Sequence, residues 1–98
     1  MNNTIFKTNG TKVKTSPKGK YYTLKELQTI VGGLIQIIRV GDYDMVIDDE
    51  GKLKGKHINI VATAIARKSG AISPYDFIVG DALITNQLDW NETRILFH

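Results

Sequence analysis

Lysine and tyrosine side chains that could bind an anion are concentrated near the start of the chain. Residues 1 to 25 contain six lysines and no acidic residue, and Phe6, Tyr21 and Tyr22 are interleaved with them. Lysines beside aromatic rings are typical of surfaces that contact phosphates and stack on bases. Lysines on an edge hairpin also keep strands of different molecules from pairing, and we prefer this explanation because the rest of the chain is slightly acidic. The candidate binding residues of this segment are Lys12, Lys14, Lys18, Lys20, Tyr21 and Tyr22.

Five acidic residues lie between Asp42 and Glu50 and could be mistaken for a calcium-binding loop. An EF-hand needs acidic residues at alternate positions, a glycine at position six and a glutamate at position twelve. Here Asp44 is followed by Met-Val-Ile, so the spacing does not fit. We therefore interpret these residues as turn acids whose carboxylates bond their own backbone.

The chain lacks the residue combinations of most catalytic and metal sites. It has no cysteine, which excludes disulfides, thiolate ligands and cysteine nucleophiles. His57 and His98 are the only histidines, and neither lies in a His-x-x-x-His or Glu-x-x-His motif. Gly32-Gly33 follows a helix-forming segment, whereas a phosphate-binding loop precedes its helix. We therefore expect no metal, no cofactor and no enzymatic activity.

The composition predicts one small globular domain that covers residues 1–98. Apolar residues make up 42% of the chain and charged residues 23%, which argues against disorder. The polar first residues do not form the apolar part of a signal peptide, and the longest apolar runs are too short to cross a bilayer. We therefore expect a cytoplasmic protein without a membrane segment.

A short helix followed by a strand is the clearest structural signal. Thr23 and Glu26 have the spacing of a capping box, so a helix is predicted to begin at Leu24. Apolar residues then recur every three or four positions until Gly32-Gly33, which is expected to end the helix and reverse the chain. A strand with much of both faces covered is predicted from Leu34 to Val40.

The remaining segments predict further strands and a second helix. Alternation on both sides of Asn9-Gly10 indicates an opening hairpin, with positive φ at both turn residues. Met45 to Ile47 is predicted to pair with the preceding strand, and the polar segment Lys52 to Lys56 to be exposed. Asn59 is a good N-cap for a helix over Ile60 to Ala66, although the β-branched residues leave a strand as the alternative.

Near the end of the chain, strands are predicted at Asp76 to Val79 and Ala82 to Thr85, with a break at Gly80-Asp81. The resulting fold class is α+β: an N-terminal β-hairpin, a short capped helix, a mixed or antiparallel sheet, a second short helix and a terminal strand pair.

Three motifs occur in order between Thr23 and Thr85. They are Leu27-Gln28-x-x-Val31-Gly32-Gly33-x-Ile35, then Asp49-Glu50-Gly51-Lys52 with Asn59-x-x-Ala62, then Ile78-Val79-Gly80-Asp81-x-Leu83. Together they resemble the domain of unknown function 3846, a small uncharacterised family found largely in phage and mobile-element genes. The family has no agreed biochemical function.

Two residues depart from the pattern of that family. Gln36 stands where the family usually has Glu, and Asp48 stands where it often has Asn. If the polar residues of the motifs form a shared site, this chain has altered the charge of that site. The candidate binding residues of these motifs are Gln36, Asp48, Glu50 and Asn59.

Without a catalytic set, the chain is expected to act by binding. The resemblance implies an accessory role directed at a host protein, for example inhibition of a defence protein. One alternative is a module that holds a nucleotide or signalling molecule between subunits, and another is a nucleic-acid-binding domain that uses the lysine hairpin. A homo-oligomer is expected, because Trp90 and Ile95 to Phe97 are more apolar than a free tail would be.

Overall fold

The computed structural model describes residues 2–90 and shows an α+β fold in which one sheet carries a helix on each face. The antiparallel sheet and the two helices confirm the predicted fold class. The elements are β1 (Thr4–Phe6), β2 (Lys12–Lys14), α1 (Leu24–Val31), β3 (Ile35–Val40), β4 (Tyr43–Asp48), α2 (Ile60–Lys68) and β5 (Ala82–Thr85).

The five strands are ordered β2-β1-β5-β4-β3, and every ladder is antiparallel. Strand β5 lies in the centre, where Leu83 pairs with Ile5 on one side and with Val46 on the other. The two ends of the described chain therefore meet in the middle of the sheet. Strand β5, the last one among the described residues, joins two hairpins, β1–β2 and β3–β4, that are each local in sequence.

The first hairpin forms at the predicted place with a different turn. The Gly10 N–H donates to Lys7 O at 3.0 Å, and the Lys7 N–H donates to Thr11 O at 2.9 Å. Of the two turn residues, Gly10 has a positive φ, of 89°, and Asn9 does not, so the prediction of positive φ at both was wrong. The connection is a type I turn followed by a left-handed glycine, which widens the loop to three residues.

Helix α1 has the predicted boundaries and caps. The Thr23 side chain accepts from the Glu26 N–H, and the Glu26 carboxylate accepts from the Thr23 N–H. Gly32 ends the helix in the left-handed conformation with φ 79°, and its N–H donates to Gln28 O. Apolar residues of the helix lie on one face because they recur at helical spacing, and that face covers the sheet.

Helix α2 confirms the prediction of a helix after Asn59. The Asn59 side chain accepts from the Ala62 N–H at 3.1 Å, which is the N-cap bond that the sequence predicted. The helix continues to Lys68, two residues beyond the predicted end. Small residues such as Ala62 and Ala66 let it pack closely on the sheet, and both are fully buried.

The two faces of the sheet bury separate apolar clusters. The α2 side buries Phe6, Val40, Met45, Ile47, Ala62, Ala66, Ile78, Ala82 and Ile84. The α1 side buries Tyr22, Leu27, Val31, Val46, Leu83 and Leu88. Alternate residues of β1, β3, β4 and β5 contribute to opposite clusters, as the pleat of a strand requires.

Three predictions about the later chain need correction. Strand β3 is an edge strand whose residues are mostly half-buried or exposed, because α1 reverses the chain onto the outside of β4. Residues 76 to 79 form only one isolated bridge, between Val79 and Ile58, so the strand predicted there is absent. The predicted pair of terminal strands is therefore not formed, and β5 pairs with β1 and β4 instead.

Trp90 is the last residue that the structure describes, and 43% of its surface is exposed. The predicted apolar contacts of Ile95 to Phe97 lie outside the described residues. Among residues 2–90, no helix has the length and apolar composition needed to cross a membrane.

Candidate functional site

Lys12 and Lys14 lie on β2, which forms one edge of the sheet, and both are exposed. Their pairing with Phe6 and Thr4 places them on the α2 side, and Lys12 Nζ lies 5.8 Å from the centre of the Phe6 ring. Neither lysine lines the groove beside α1 described next. The structure therefore separates these two lysines from the other candidates of the N-terminal segment.

Three of the remaining N-terminal candidates, Lys18, Tyr21 and Tyr22, line an open groove of about 510 Å³ between the segment after β2 and helix α1. We call it the lysine groove. Tyr21 on its wall is 39% exposed, and Lys20 Nζ lies 5.3 Å from the centre of that ring. The groove is lined by Thr15, Ser16, Lys18, Gly19, Tyr21, Tyr22, Thr23, Lys25, Glu26, Thr29 and Ile30.

Tyr22 forms the buried base of this region and is only 4% exposed. Its ring packs in the α1-side cluster, and its hydroxyl lies 3.4 Å from Asn3 Oδ1. Burial raises the pKa of the Tyr22 hydroxyl above its ordinary value. Tyr22 therefore supports the groove from below and does not present a ring to solvent.

The lysines of the described chain fall into two groups by their pairing, and the N-terminal segment contributes Lys7 to the first group and five lysines to the second. Lys7, Lys52, Lys54 and Lys56 all form salt bridges with aspartates. No described carboxylate pairs with the following lysines: Lys12, Lys14, Lys18, Lys20 and Lys25.

Glu26 is the acidic residue that lines the lysine groove, and its carboxylate is already occupied. It accepts the backbone N–H of Thr23 at 2.9 Å and that of Lys18 at 3.1 Å. The Thr23 bond contributes most to lowering the pKa of Glu26 below its ordinary value. Backbone N–H groups carry no net charge, so Glu26 stays anionic and also attracts Lys18, although neither Lys18 nor Lys25 forms a salt bridge with a described carboxylate. With two lysines and one glutamate in its lining, the groove keeps a net positive charge.

Two of the other candidate residues lie at a groove of about 440 Å³ beside strands β3 and β4, which we call the strand-edge groove. Gln36 of β3 and Asp48 of β4 both line it. Its other lining residues are Ile38, Ile47, Asp49, Lys52, Ala71, Ile72, Ser73, Asp76, Phe77, Ile78 and Val79. The register places Gln36 opposite Ile47 on the α2 side, whereas Asp48 pairs with Ile35 and its buried side chain lies on the α1 side. The two side chains therefore point to opposite faces of the sheet, and the structure does not join them in a shared site.

The carboxylate of Asp48 interacts with three groups of the same chain. Lys54 Nζ lies 2.8 Å and Lys56 Nζ 2.7 Å from Asp48 Oδ2, while the Glu50 N–H donates to Oδ1 at 2.9 Å. The Asp48 side chain is 1% exposed. Burial alone would raise the pKa of Asp48, but the two lysines and the Glu50 N–H together hold it below its ordinary value.

The same two lysines also cap helix α1. Lys54 Nζ donates to Gly32 O at 3.2 Å and Lys56 Nζ to Val31 O at 2.7 Å. These carbonyls lie at the helix C-terminus, where a positive charge is favourable, and α1 has no basic residue in its own last turn. Lys52 to Gly55 are exposed as predicted, whereas Lys56 is half-buried, so the prediction of an exposed segment was wrong for Lys56.

We expect the Asp48→Asn variant to be less stable than the wild type by about 1–3 kcal/mol at neutral pH, because the lysines lose a buried anion but keep contact with water. Because the pKa of Asp48 is lower in the folded state, the contribution of its ionised form to stability is complete above pH 3.8, its ordinary pKa. That contribution is lost as the pH falls through the pKa of the folded state. Denaturant unfolding of both proteins across an acidic pH series measures this difference. A stability difference that stays constant with pH would contradict the assignment.

Glu50 and Asn59 complete the candidates from the motifs. Glu50 is half-buried and uses its backbone to fix the turn after β4, where its carbonyl accepts the Lys54 N–H. Asn59 is 1% exposed, and its amide donates to Phe6 O and Gly80 O. Its polar atoms face these backbone groups, away from either groove.

Within residues 2–90, no group of three or more histidine, cysteine, aspartate or glutamate side chains is arranged to hold a metal ion. His57 is exposed beside Lys56, and His98 lies outside the described residues. The residues that sequence reasoning missed are Lys25 and Thr29 at the lysine groove and Asp76 and Phe77 at the strand-edge groove. The helical spacing of Lys25 and Thr29 was available as a signal, since residues four apart share a helix face.

Comparison with known proteins yields one match. A family model described as Domain of unknown function (DUF3846) matches residues 4–96, which is almost the whole chain. No curated protein and no solved structure matches the chain. The match confirms the resemblance drawn from the three motifs, while phage or mobile-element origin stays an expectation.

Proposed function

The chain belongs to the DUF3846 family, whose function is unknown, and we propose that it acts by binding an acidic segment of a partner protein in the lysine groove. The observation that carries the proposal is an open groove of net positive charge, lined by two lysines that form no salt bridge with a described carboxylate. Lys18 and Lys25 line that groove, and Glu26 is committed to backbone N–H groups. A negatively charged partner would supply the missing counter-charge.

The mixed lining favours a protein segment over a polyanion. Ile30 and the exposed ring of Tyr21 contribute apolar surface, while the hydroxyls of Ser16 and Thr29 and the lysines contribute polar groups. A peptide that carries both apolar and acidic side chains matches this combination. Nucleic-acid affinity rises with the number of phosphates neutralised, and two groove lysines neutralise few. By the resemblance to phage domains, the partner class we propose is a host protein whose activity is blocked by occupation.

A nucleotide is the second candidate ligand, and a different observation favours it. Tyr21 keeps 39% of its surface exposed at the groove, where its ring could stack on a base. Lys18 in the same lining could contact a phosphate. A groove of about 510 Å³ lies within the size range of small-molecule sites.

The proposal is tested by affinity capture from nuclease-treated host lysate with the wild type and two matched variants. Lys25→Glu reverses a charge on the groove, whereas Lys68→Glu reverses an equally exposed, unpaired helical charge on the opposite face of the sheet. We expect a protein partner whose measured affinity falls by at least about tenfold in Lys25→Glu and stays near wild type in Lys68→Glu. Equal capture by all three proteins would contradict the groove as the site.

Two further measurements on the same proteins identify the rival ligands. Native mass spectrometry of the purified protein detects a retained nucleotide, which would replace the protein partner with the second candidate. Titration with single-stranded and duplex oligonucleotides should show weak, sequence-blind binding that disappears near physiological salt. Tight binding that survives at that salt and is lost when Lys12, Lys14 and Lys18 are charge-reversed would instead establish a nucleic-acid-binding domain.

A further inference from the structure

The two edges of the sheet differ in how they are protected. Edge strand β2 has three residues, two of which are exposed lysines. Edge strand β3 has six residues, Ile35–Val40, with no lysine and no proline among them. Charges, prolines and short length are the usual means of preventing strands from pairing between molecules. Strand β3 has only Arg39 as a charged residue, and no strand of residues 2–90 pairs with its outer side.

The hydrogen-bond register shows which backbone groups of β3 point outward. Asp49 N–H donates to Leu34 O, and the pairing continues through Gln36 with Ile47 to Val40 with Tyr43. In an antiparallel ladder, alternate residues exchange both bonds with the partner strand. The even-numbered residues of β3 are therefore bonded to β4. The N–H and C=O groups of Ile35, Ile37 and Arg39 point away from the sheet.

We propose that β3 pairs with β3 of a second copy of this chain, antiparallel and about a two-fold axis through Ile37. The three outward-facing residues fix this register, because each must meet an outward-facing residue of the second copy. Centring on Ile37 places Ile37 opposite itself and Ile35 opposite Arg39, which uses all three positions in both copies. The result is one continuous sheet of ten strands.

The side chains agree with this register. Ile35 and Ile37 are only half-buried and pack on the outer part of the α1-side cluster, and the neighbouring Leu34 is 55% exposed. Pairing would cover this apolar row with its own counterpart. Arg39 would lie opposite Ile35 instead of another arginine, and its guanidinium already pairs with Asp44 at 3.3 Å. No like charges meet directly across the two strands, so a second copy fits as the occupant.

Pairing also changes the strand-edge groove. Gln36 and Ile38 line that groove from β3. In the register centred on Ile37, Gln36 of one copy stands opposite Ile38 of the second copy on the same face of the sheet. The two grooves therefore adjoin across the axis and form one longer groove to which each copy contributes residues. This inference is independent of the lysine groove.

The experiment combines sedimentation velocity with backbone amide exchange on the full chain, from low to several hundred micromolar. We expect twice the 10.9 kDa chain mass at high concentration. We also expect the amides of Ile35, Ile37 and Arg39 to be protected in the dimer and to exchange on dilution. Those of Gln36, Ile38 and Val40 should stay protected at both extremes, because they are bonded within each copy.

Ile37→Lys should raise the dissociation constant by on the order of tenfold or more, since two lysines would then face each other across the axis. Val13→Lys places a lysine at the centre of β2, the other edge strand, and should leave the dissociation constant unchanged. The wild-type exchange pattern decides the question even if Ile37→Lys fails to fold. A monomer at every concentration, a dimer whose outward amides exchange as in the monomer, or protection that does not depend on concentration would each overturn the proposal.

Discussion

Replacement of Asn59 with alanine is expected to lower the free energy of unfolding by about 3–5 kcal/mol. The side-chain oxygen caps α2 through the Ala62 N–H, and the amide nitrogen donates to Phe6 O at 2.7 Å and to Gly80 O at 2.9 Å. Loss of an N-cap costs about 1 kcal/mol, and each buried carbonyl left without a donor costs about 1–3 kcal/mol. One side chain thus ties the start of α2 to β1 and to the turn before β5.

Equilibrium denaturation by urea measures this loss. Asn86→Ala removes an exposed asparagine side chain and serves as the matched control, with an expected change within about 0.5 kcal/mol. Asn59→Asp keeps the cap oxygen but replaces the amide donor with a carboxylate that faces two carbonyls, so it should be at least as damaging as alanine. An Asn59→Ala protein as stable as the Asn86→Ala control would contradict the assignment of Asn59 as a helix cap and as the donor to the two carbonyls.

Gly33→Ala is expected to be the second most damaging change, at about 2–4 kcal/mol. A Cβ at position 33 would lie 2.8 and 2.9 Å from the two carboxylate oxygens of Asp48 and closer still to Lys54 Nζ. Lysine can move, but Asp48 is buried and held by the Glu50 N–H and by Lys56. The added methyl group therefore disturbs the ion pairs as well as the turn.

Gly32→Ala provides the comparison within the same turn. Position 32 has φ 79°, and a methyl group added there would meet only Lys56 Nζ, so its expected cost is about 1 kcal/mol, mainly from the left-handed backbone. Thermal and urea unfolding of both single variants should rank Gly33 above Gly32. Unchanged melting temperatures combined with lost partner binding would assign the glycine pair to a binding site instead of the scaffold.

Local signals in the sequence predicted the parts of the fold that depend on neighbouring residues. The capping box of Thr23 and Glu26, the glycine stop at Gly32 and the N-cap at Asn59 all involve groups within four residues of each other. Such contacts can be recognised from spacing alone. The strand pairing of β3 with β4 follows in the same way from the two-residue turn at Gly41-Asp42.

The features that could not be predicted depend on contacts between distant segments. Nothing in the sequence indicates that Lys54 and Lys56 turn back onto Asp48, because their charges are equally suited to solvent. No local pattern places β5 between β1 and β4, an arrangement that leaves β3 at an edge. The candidate residues were divided in the same manner, since Lys18 and Tyr21 share the lysine groove while the side chains of Gln36 and Asp48 point to opposite faces of the sheet.

The central position of β5 constrains the order in which the protein can fold during synthesis. The pair Thr4 and Ile84 is separated by almost the whole described chain, and no other described strand joins the two hairpins. Closing so long a loop costs conformational entropy before its contacts can compensate. A nascent chain on the ribosome can form each hairpin and helix early, but it cannot complete the sheet until Thr85 has left the exit tunnel. The two apolar faces stay without their central strand during that interval, so this is the stage at which the growing chain most needs protection from aggregation.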